Sequence, residues 1–231
     1  MIENTTAANR AVNIPEFVNV AQGGLETIDP QATEFYKMVN EAFAMAQANK
    51  IPESIALLRS ALERDPDDAM AHYNLGTLLT NSGQPHDALD EYRKASALSP
   101  GDTTFLEHYA VALALNGDRS AAVVELQKAV TIDPASAPFR FNLGYMMEAN
   151  GDFAEAVAPL EKAVELSEGK NGRFVAELAK AYDKTGRTAE AVASARKALD
   201  LAVQEHDAQR EKDMRDLLDR YEHSTSEVKP Q

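Results

Sequence analysis

Prolines, glycines and alanines recur along this chain every 34 residues, and that period constrains the fold more than any other feature. Pro66, Pro100 and Pro134 stand 34 apart. Ala61, Ala95, Ala129 and Ala163 keep the same spacing, and Ala198 follows 35 later. Gly83, Gly117 and Gly151 form a third column, begun by Asn49 and continued one residue late by Gly186. Ala88, Ala122, Ala156 and Ala191 form a fourth, with Ser54 at the same place in the first unit.

Each column has a physical reason. Asn and Gly adopt positive φ at low cost, so Asn49 and the four glycines are expected to end one helix and turn the chain back. Small residues at Ala42, Gly76, Ala110, Gly144 and Ala179 let helix backbones approach closely. Proline cannot continue a helix, so Pro66, Pro100 and Pro134 close each unit. Apolar residues between these marks, such as Leu75, Leu78 and Leu79, keep helical spacing. The unit is therefore helix, turn, helix. A lone pair cannot bury its apolar face, so neighbouring pairs stack into an elongated, curved array with a concave and a convex side.

Composition agrees. Of 231 residues 44% are hydrophobic, enough for a core, while 11 Gly and 10 Pro are too few for a fibrous or low-complexity chain. A net charge of −14 repels phosphate backbones and anionic lipid, which argues against nucleic-acid binding and favours solubility. The absence of Cys removes disulfides and thiolate metal sites. The opening MIENTTAANRAVNIPEF lacks a basic start followed by an apolar run, and no stretch approaches the length of a membrane span. A cytoplasmic location is expected, or a periplasmic or exported one if Met1 replaces a trimmed leader.

No pattern points to catalysis. The five histidines, His72, His86, His108, His206 and His223, have no metal-ligand spacing, and HExxH, GxSxG and phosphate-loop motifs are missing. Asp65, Asp67 and Asp68, like Asp87, Asp90 and Glu91, fall at helix ends or surfaces where acids are solvated. The chain is expected to be no enzyme and to hold neither cofactor nor metal.

The columns resemble the tetratricopeptide repeat. In HYNLGTLLTNSGQPHDALDEYRKASALSP, residues Leu75, Gly76, Leu79, Ala88, Tyr92, Ala95 and Pro100 stand where that family has its signature. Tyr109, Ala110, Gly117, Ala122, Leu126, Ala129 and Pro134 repeat it, as do Leu143, Gly144, Gly151, Ala156, Leu160 and Ala163. The resemblance implies an all-α, right-handed superhelical solenoid of about five helix-turn-helix units. Those units are expected at 35–68, 69–102, 103–136, 137–171 and 172–203, within an array over 29–203. Residues 1–28 read as an extension or linker. Its apolar Ile14, Phe17, Val18 and Val20 are alternatively a segment that lies in a groove. A helix over 204–222 reads as a cap through the stripe Met214, Leu217, Leu218 and Tyr221, and 223–231 as a disordered tail. Two departures stand out: SEGKNG replaces the closing proline of the fourth unit, and Pro159 falls inside a helix, where a bend is expected.

By the resemblance, the first helix of each pair lines the concave face and holds a partner. Asn40, Asn74, His108 and Asn142 recur at one position, similar to the asparagine ladders that grip peptide backbones in some superhelices of this family. Beside them stand Tyr36, Phe43, Tyr73, Thr77, Phe141 and Tyr145, and at the far end Arg173 and Lys180. Val39, Phe43 and Tyr73 occupy positions where a carboxylate clamp needs polar groups, so that mode is not expected. The implied function is a non-catalytic scaffold or adaptor for another protein or an extended peptide. The alternatives are a structural module, including a homo-oligomer, or a targeting domain detached from a larger bacterial enzyme.

Overall fold

A computed structural model describes the backbone of residues 30–226 and side chains from 33 to 221. The expected extension at 1–28 lies outside the described residues, as do residues 227–231 of the expected tail. Eleven α-helices and no strand are present among the described residues, and no helix there is long and apolar enough to cross a membrane. The chain divides into two compact units between Pro100 and Gly101.

The first unit holds α1 (Pro30–Gln47), α2 (Ile51–Leu62), α3 (Ala69–Asn81) and α4 (Pro85–Leu98). α1 packs on α2, α2 on α3, and α3 on α4. The turns inside the pairs are where the period puts them, with Asn49 at φ 59° and Gly83 at φ 78°. Asp68 starts α3 by accepting the Ala71 amide at 2.7 Å, and Pro85 opens α4 where a missing N–H costs nothing. Ser54, the departure in the alanine column, is buried and donates its hydroxyl to the Ala42 carbonyl at 2.6 Å. Its polar atom is therefore satisfied at a position that elsewhere needs only a methyl.

His72 ties three segments of this unit together. Its Nδ1 lies 2.5 Å from Glu91 Oε2 on α4, and its Nε2 lies 2.8 Å from the Pro66 carbonyl in the turn before α3. Both partners are acceptors, so the charged imidazolium, with two donors, satisfies both. Burial opposes that charge, but the hydrogen bonds to Glu91 and Pro66 and the Glu91 carboxylate outweigh it, and the His72 pKa is raised. Burial likewise opposes the Glu91 charge. Hydrogen bonds from His72 and Lys94 prevail, and its pKa is lowered.

The second unit holds α5 (Thr103–Leu115), α6 (Arg119–Ile132), α7 (Ala137–Asn150), α8 (Phe153–Leu166), α9 (Gly172–Lys184), α10 (Thr188–Gln204) and α11 (Ala208–Ser226). Each helix packs on the next through this series. Asp102, Asp118, Ser136 and Asn171 cap α5, α6, α7 and α9 by accepting backbone amides. In the α7–α8 pair, Gly144 lies against Leu160 so closely that a Cβ built on it would stand 2.5 Å from Leu160 Cγ. α8 continues as one helix through Pro159, whose ring is buried.

The α8–α9 turn, which lacks the closing proline, solves its extra residue differently: Glu168 and Gly169 both take positive φ, at 52° and 63°. α8 and α9 still share a core of Phe141, Leu160, Phe174, Leu178 and Tyr182. α11 turns Met214 and Leu217 onto Val175, Ala176, Ala179, Ala195 and Ala198, covering the α9–α10 pair. It begins at Ala208 and runs on to Ser226, past the end expected at 222.

Two stability predictions follow from this packing. Gly144→Ala gains helix propensity but forces Leu160 aside, and should lower stability by about 1–3 kcal/mol in urea titration; an unchanged midpoint would show that the pair has slack. For His72, the raised pKa gives stability that is complete below its unfolded value near 6.5 and lost as pH rises through the folded value. For Glu91, stability is complete above 4.5 and lost on acidification. The wild type should therefore lose more stability than His72→Gln does as pH rises above about 6.5; equal losses would mean that the imidazolium contributes nothing.

Candidate functional site

Helices α5, α7 and α9 are the first members of their pairs, and their outward side chains join into one face. Helical spacing selects which side chains share it. Phe141, Tyr145 and Glu148 follow at i, i+4, i+7 on α7, and Arg173, Glu177, Lys180 and Lys184 follow in the same way on α9. Cross-helix contacts hold the face together. Asn142 Nδ2 donates to Glu107 Oε1 of α5 at 2.6 Å. The Arg173 guanidinium lies 4.8 Å over the Phe141 ring, which also stacks on Phe174 at 4.6 Å. Glu148 on α7 stands beside Glu177 on α9.

On this face large apolar groups meet water. Tyr145 is 45% exposed, Val111 46% and Leu115 56%, and the Tyr145 ring is supported from behind by Phe141 at 6.0 Å. A rigid, half-exposed aromatic beside hydrogen-bonding groups is the composition of an interface anchor.

The expected site residues separate into three sets. Tyr36, Asn40, Tyr145 and Arg173 are exposed, while Phe43, Thr77, His108, Asn142 and Lys180 are half-buried. Tyr73, Asn74 and Phe141 are only 3, 4 and 2% exposed, so their side chains serve packing. Tyr73 meets Tyr92 at 5.9 Å, and Thr77 accepts the Tyr92 hydroxyl at 3.2 Å. At the recurring asparagine position the surroundings differ, and Asn40 is exposed. Asn74 is buried, Asn142 is engaged by Glu107, and His108 Nδ1 lies 2.9 Å from the Thr104 carbonyl of its own helix.

The electrostatics of α9 differ from what its sequence suggests. Asp183 and Glu177 stand close enough to neutralise the neighbouring lysines, yet Asp183 turns to α11, where it accepts from the Tyr221 hydroxyl at 2.5 Å and from Arg220 at 3.1 Å. Glu177 accepts from Lys180 at 3.2 Å. Burial, then the neighbouring Glu177 carboxylate, push the Glu148 carboxyl up to about 8 against the pull of Lys180 and Lys184. Lys180 and Lys184 also line a shallow pocket with Asp183, Asp213 and Asp216, so acids stand beside the α9 lysines. Sequence reading missed Glu148; its i+3 spacing from Tyr145 and i+7 from Phe141 was the available signal. No group of three or more His, Asp or Glu able to hold a metal ion occurs among the described residues.

Sequence profiles described as tetratricopeptide repeat match residues 44–103 and 76–137, 142–174, and 173–202. No curated protein matches the chain. Among solved structures, that of MamA is 21% identical, with 71% of this chain and 96% of that chain covered at a TM-score of 0.66. MamA 41-end from Desulfovibrio magneticus RS-1 is 17% identical over 78% and 99%, at 0.66. YrrB, a TPR protein with an unusual peptide-binding site, is 18% identical over 79% and 95%, also at 0.66. At such identities the likeness is one of fold.

The division between packed and exposed aromatics predicts opposite behaviour on truncation. Phe141→Ala should cost about 3–5 kcal/mol of stability, as for a buried aromatic in a well-packed core. Tyr145→Ala should cost under about 1 kcal/mol. Thermal or urea unfolding of both variants decides this, and similar costs would contradict the assignment.

Proposed function

The chain belongs to the tetratricopeptide repeat family, and we propose that it is a non-catalytic scaffold that holds another protein or an extended peptide on the face of its first helices. The observation that carries this reading is the exposed apolar group Val111, Leu115 and Tyr145, set on a rigid frame of stacked rings and cross-helix hydrogen bonds. Large aromatic area held rigid loses little entropy on binding, so it contributes more than flexible side chains of equal size. The half-buried amide of Asn142 and the exposed Arg173 supply polar contacts beside it. In the first unit, exposed Tyr36 and Asn40 on α1 offer the same chemistry. The peptide-binding site of YrrB supports the reading by analogy of fold.

A second reading, association through the second helices, is favoured by the exposed Val124 and Ile132 on α6, Phe153 on α8 and Val203 on α10. Apolar groups of this size on an outer surface suit a contact between copies. A concentration-dependent mass in sedimentation, unaffected by Tyr145→Ala, would support it.

The scaffold reading is tested by comparative capture. Wild type and a Val111→Ala/Tyr145→Ala variant are used side by side to draw proteins from the native source. The variant should keep its helical spectrum and lose the partners that wild type retains. Equal capture by both would remove this face from the account.

A further inference from the structure

The first-helix face of the first unit leaves a buried donor unpaired. Asn74 on α3 is 4% exposed, and its Nδ2 has no acceptor among the described residues. Such a donor is costly, and native folds rarely keep one. Asn40 holds the same place one repeat earlier, on α1, and is exposed. Apolar surface stands around these amides. Tyr36 is 39% exposed, while Val39 on α1 and Met70 on α3 are half-buried. Helical spacing puts Tyr36 and Asn40 on one stripe of α1, and Met70 and Asn74 on one stripe of α3. An extended chain with apolar side chains suits this surface. Its carbonyls accept from the amides, and its side chains cover the rings and the thioether.

The chain carries a segment of that kind ahead of α1. Residues 14–20, IPEFVNV, lie outside the described residues, but their composition is informative. Pro15 holds Ile14 to extended backbone, and the β-branched Ile14, Val18 and Val20 favour the same conformation. Nine residues, 21–29, join Val20 to the start of α1 at Pro30. Drawn out, they span about 30 Å. The 18 residues of α1 are about 27 Å long, so the tether reaches any point along that helix. Gly23 and Gly24 lie within it and permit the reversal that such a path needs.

We propose that residues 14–20 lie extended on the α1–α3 face, with a backbone carbonyl accepting from Asn74 Nδ2 and Phe17 covering Tyr36. The occupant is the chain's own segment rather than that of a second copy. So short a tether holds it at an effective concentration of the order of millimolar, which a segment from another molecule cannot match. The proposal goes beyond the scaffold reading, because Val111, Leu115 and Tyr145 of the second unit take no part in it.

Photo-crosslinking in the full chain tests this. A photoreactive phenylalanine analogue replaces Phe17, and isotope-labelled chain is mixed with unlabelled chain before irradiation and mass spectrometry. Crosslinks should form within one chain and fall on α1 or α3, near Tyr36 or Met70. Crosslinks between differently labelled chains, crosslinks elsewhere, or none at all would each overturn the proposal. Fluorescence anisotropy with a labelled peptide of residues 12–22, VNIPEFVNVAQ, gives a second reading. The full-length Phe17→Ser/Val18→Ser variant, whose own segment no longer competes, should bind the peptide at least about tenfold more tightly than wild type. Equal binding by the two would overturn the proposal. In that background Tyr36→Ala and Asn74→Leu, each with its helical spectrum kept, should weaken the peptide several-fold. Unchanged affinity in both would overturn the assigned contacts. Capture of partners through Val111 and Tyr145 is read separately, so either result leaves the scaffold reading to its own test.

Discussion

Everything in this structure depends on how closely two helices of a pair can approach. At Gly144 the backbone of α7 lies so near Leu160 of α8 that a single added methyl has no room, and at Gly76 an added Cβ would meet the Tyr92 ring at 3.0 Å. Close approach lets each pair bury its alanine columns completely, as at Ala88, Ala122, Ala156 and Ala191. Within each unit the remaining apolar surface of a pair is covered by the next pair. Side chains on the first helices are positioned by that packing rather than by local loops, which makes their spacing reliable enough to recognise a ligand.

The rigidity has a visible effect on chemistry. Phe141 is held between Phe174 and the Arg173 guanidinium, and Tyr145 leans on Phe141. An exposed ring with a buried ring behind it is preorganised for contact. The same framework brings Glu148 and Glu177 together from different helices, and burial beside a second carboxylate pushes the Glu148 carboxyl up.

Much of the fold was legible in the sequence because the residues that set it act locally. Asn49, Gly83, Gly117, Gly151 and Gly186 announce the turns inside the pairs, and all five have positive φ. Profiles of the tetratricopeptide repeat confirm the family that the columns suggested. The site was harder to read because its chemistry depends on which neighbour covers each side chain. Tyr73 and Phe141 stand at positions that face inward on a helical projection, yet adjoining rings bury them. His72, Glu91 and Pro66 lie in separate segments, and nothing in their spacing marks a hydrogen-bonded trio. Glu148 and Glu177 are 29 residues apart and look like ordinary surface acids until the packing of α7 on α9 joins them. Asp183 gave no sign that α11 would claim it.

The account's central claim is that partners are held on the face of the first helices. Site-specific photo-crosslinking measures this directly: a photoreactive phenylalanine analogue is placed singly at Val111 or Tyr145, and separately at Val124 or Ile132 on α6, before exposure to native extract. The account predicts crosslinked partner from the first two positions and little from the second two. Crosslinks confined to Val124 and Ile132 would contradict it and place the working surface on the second helices.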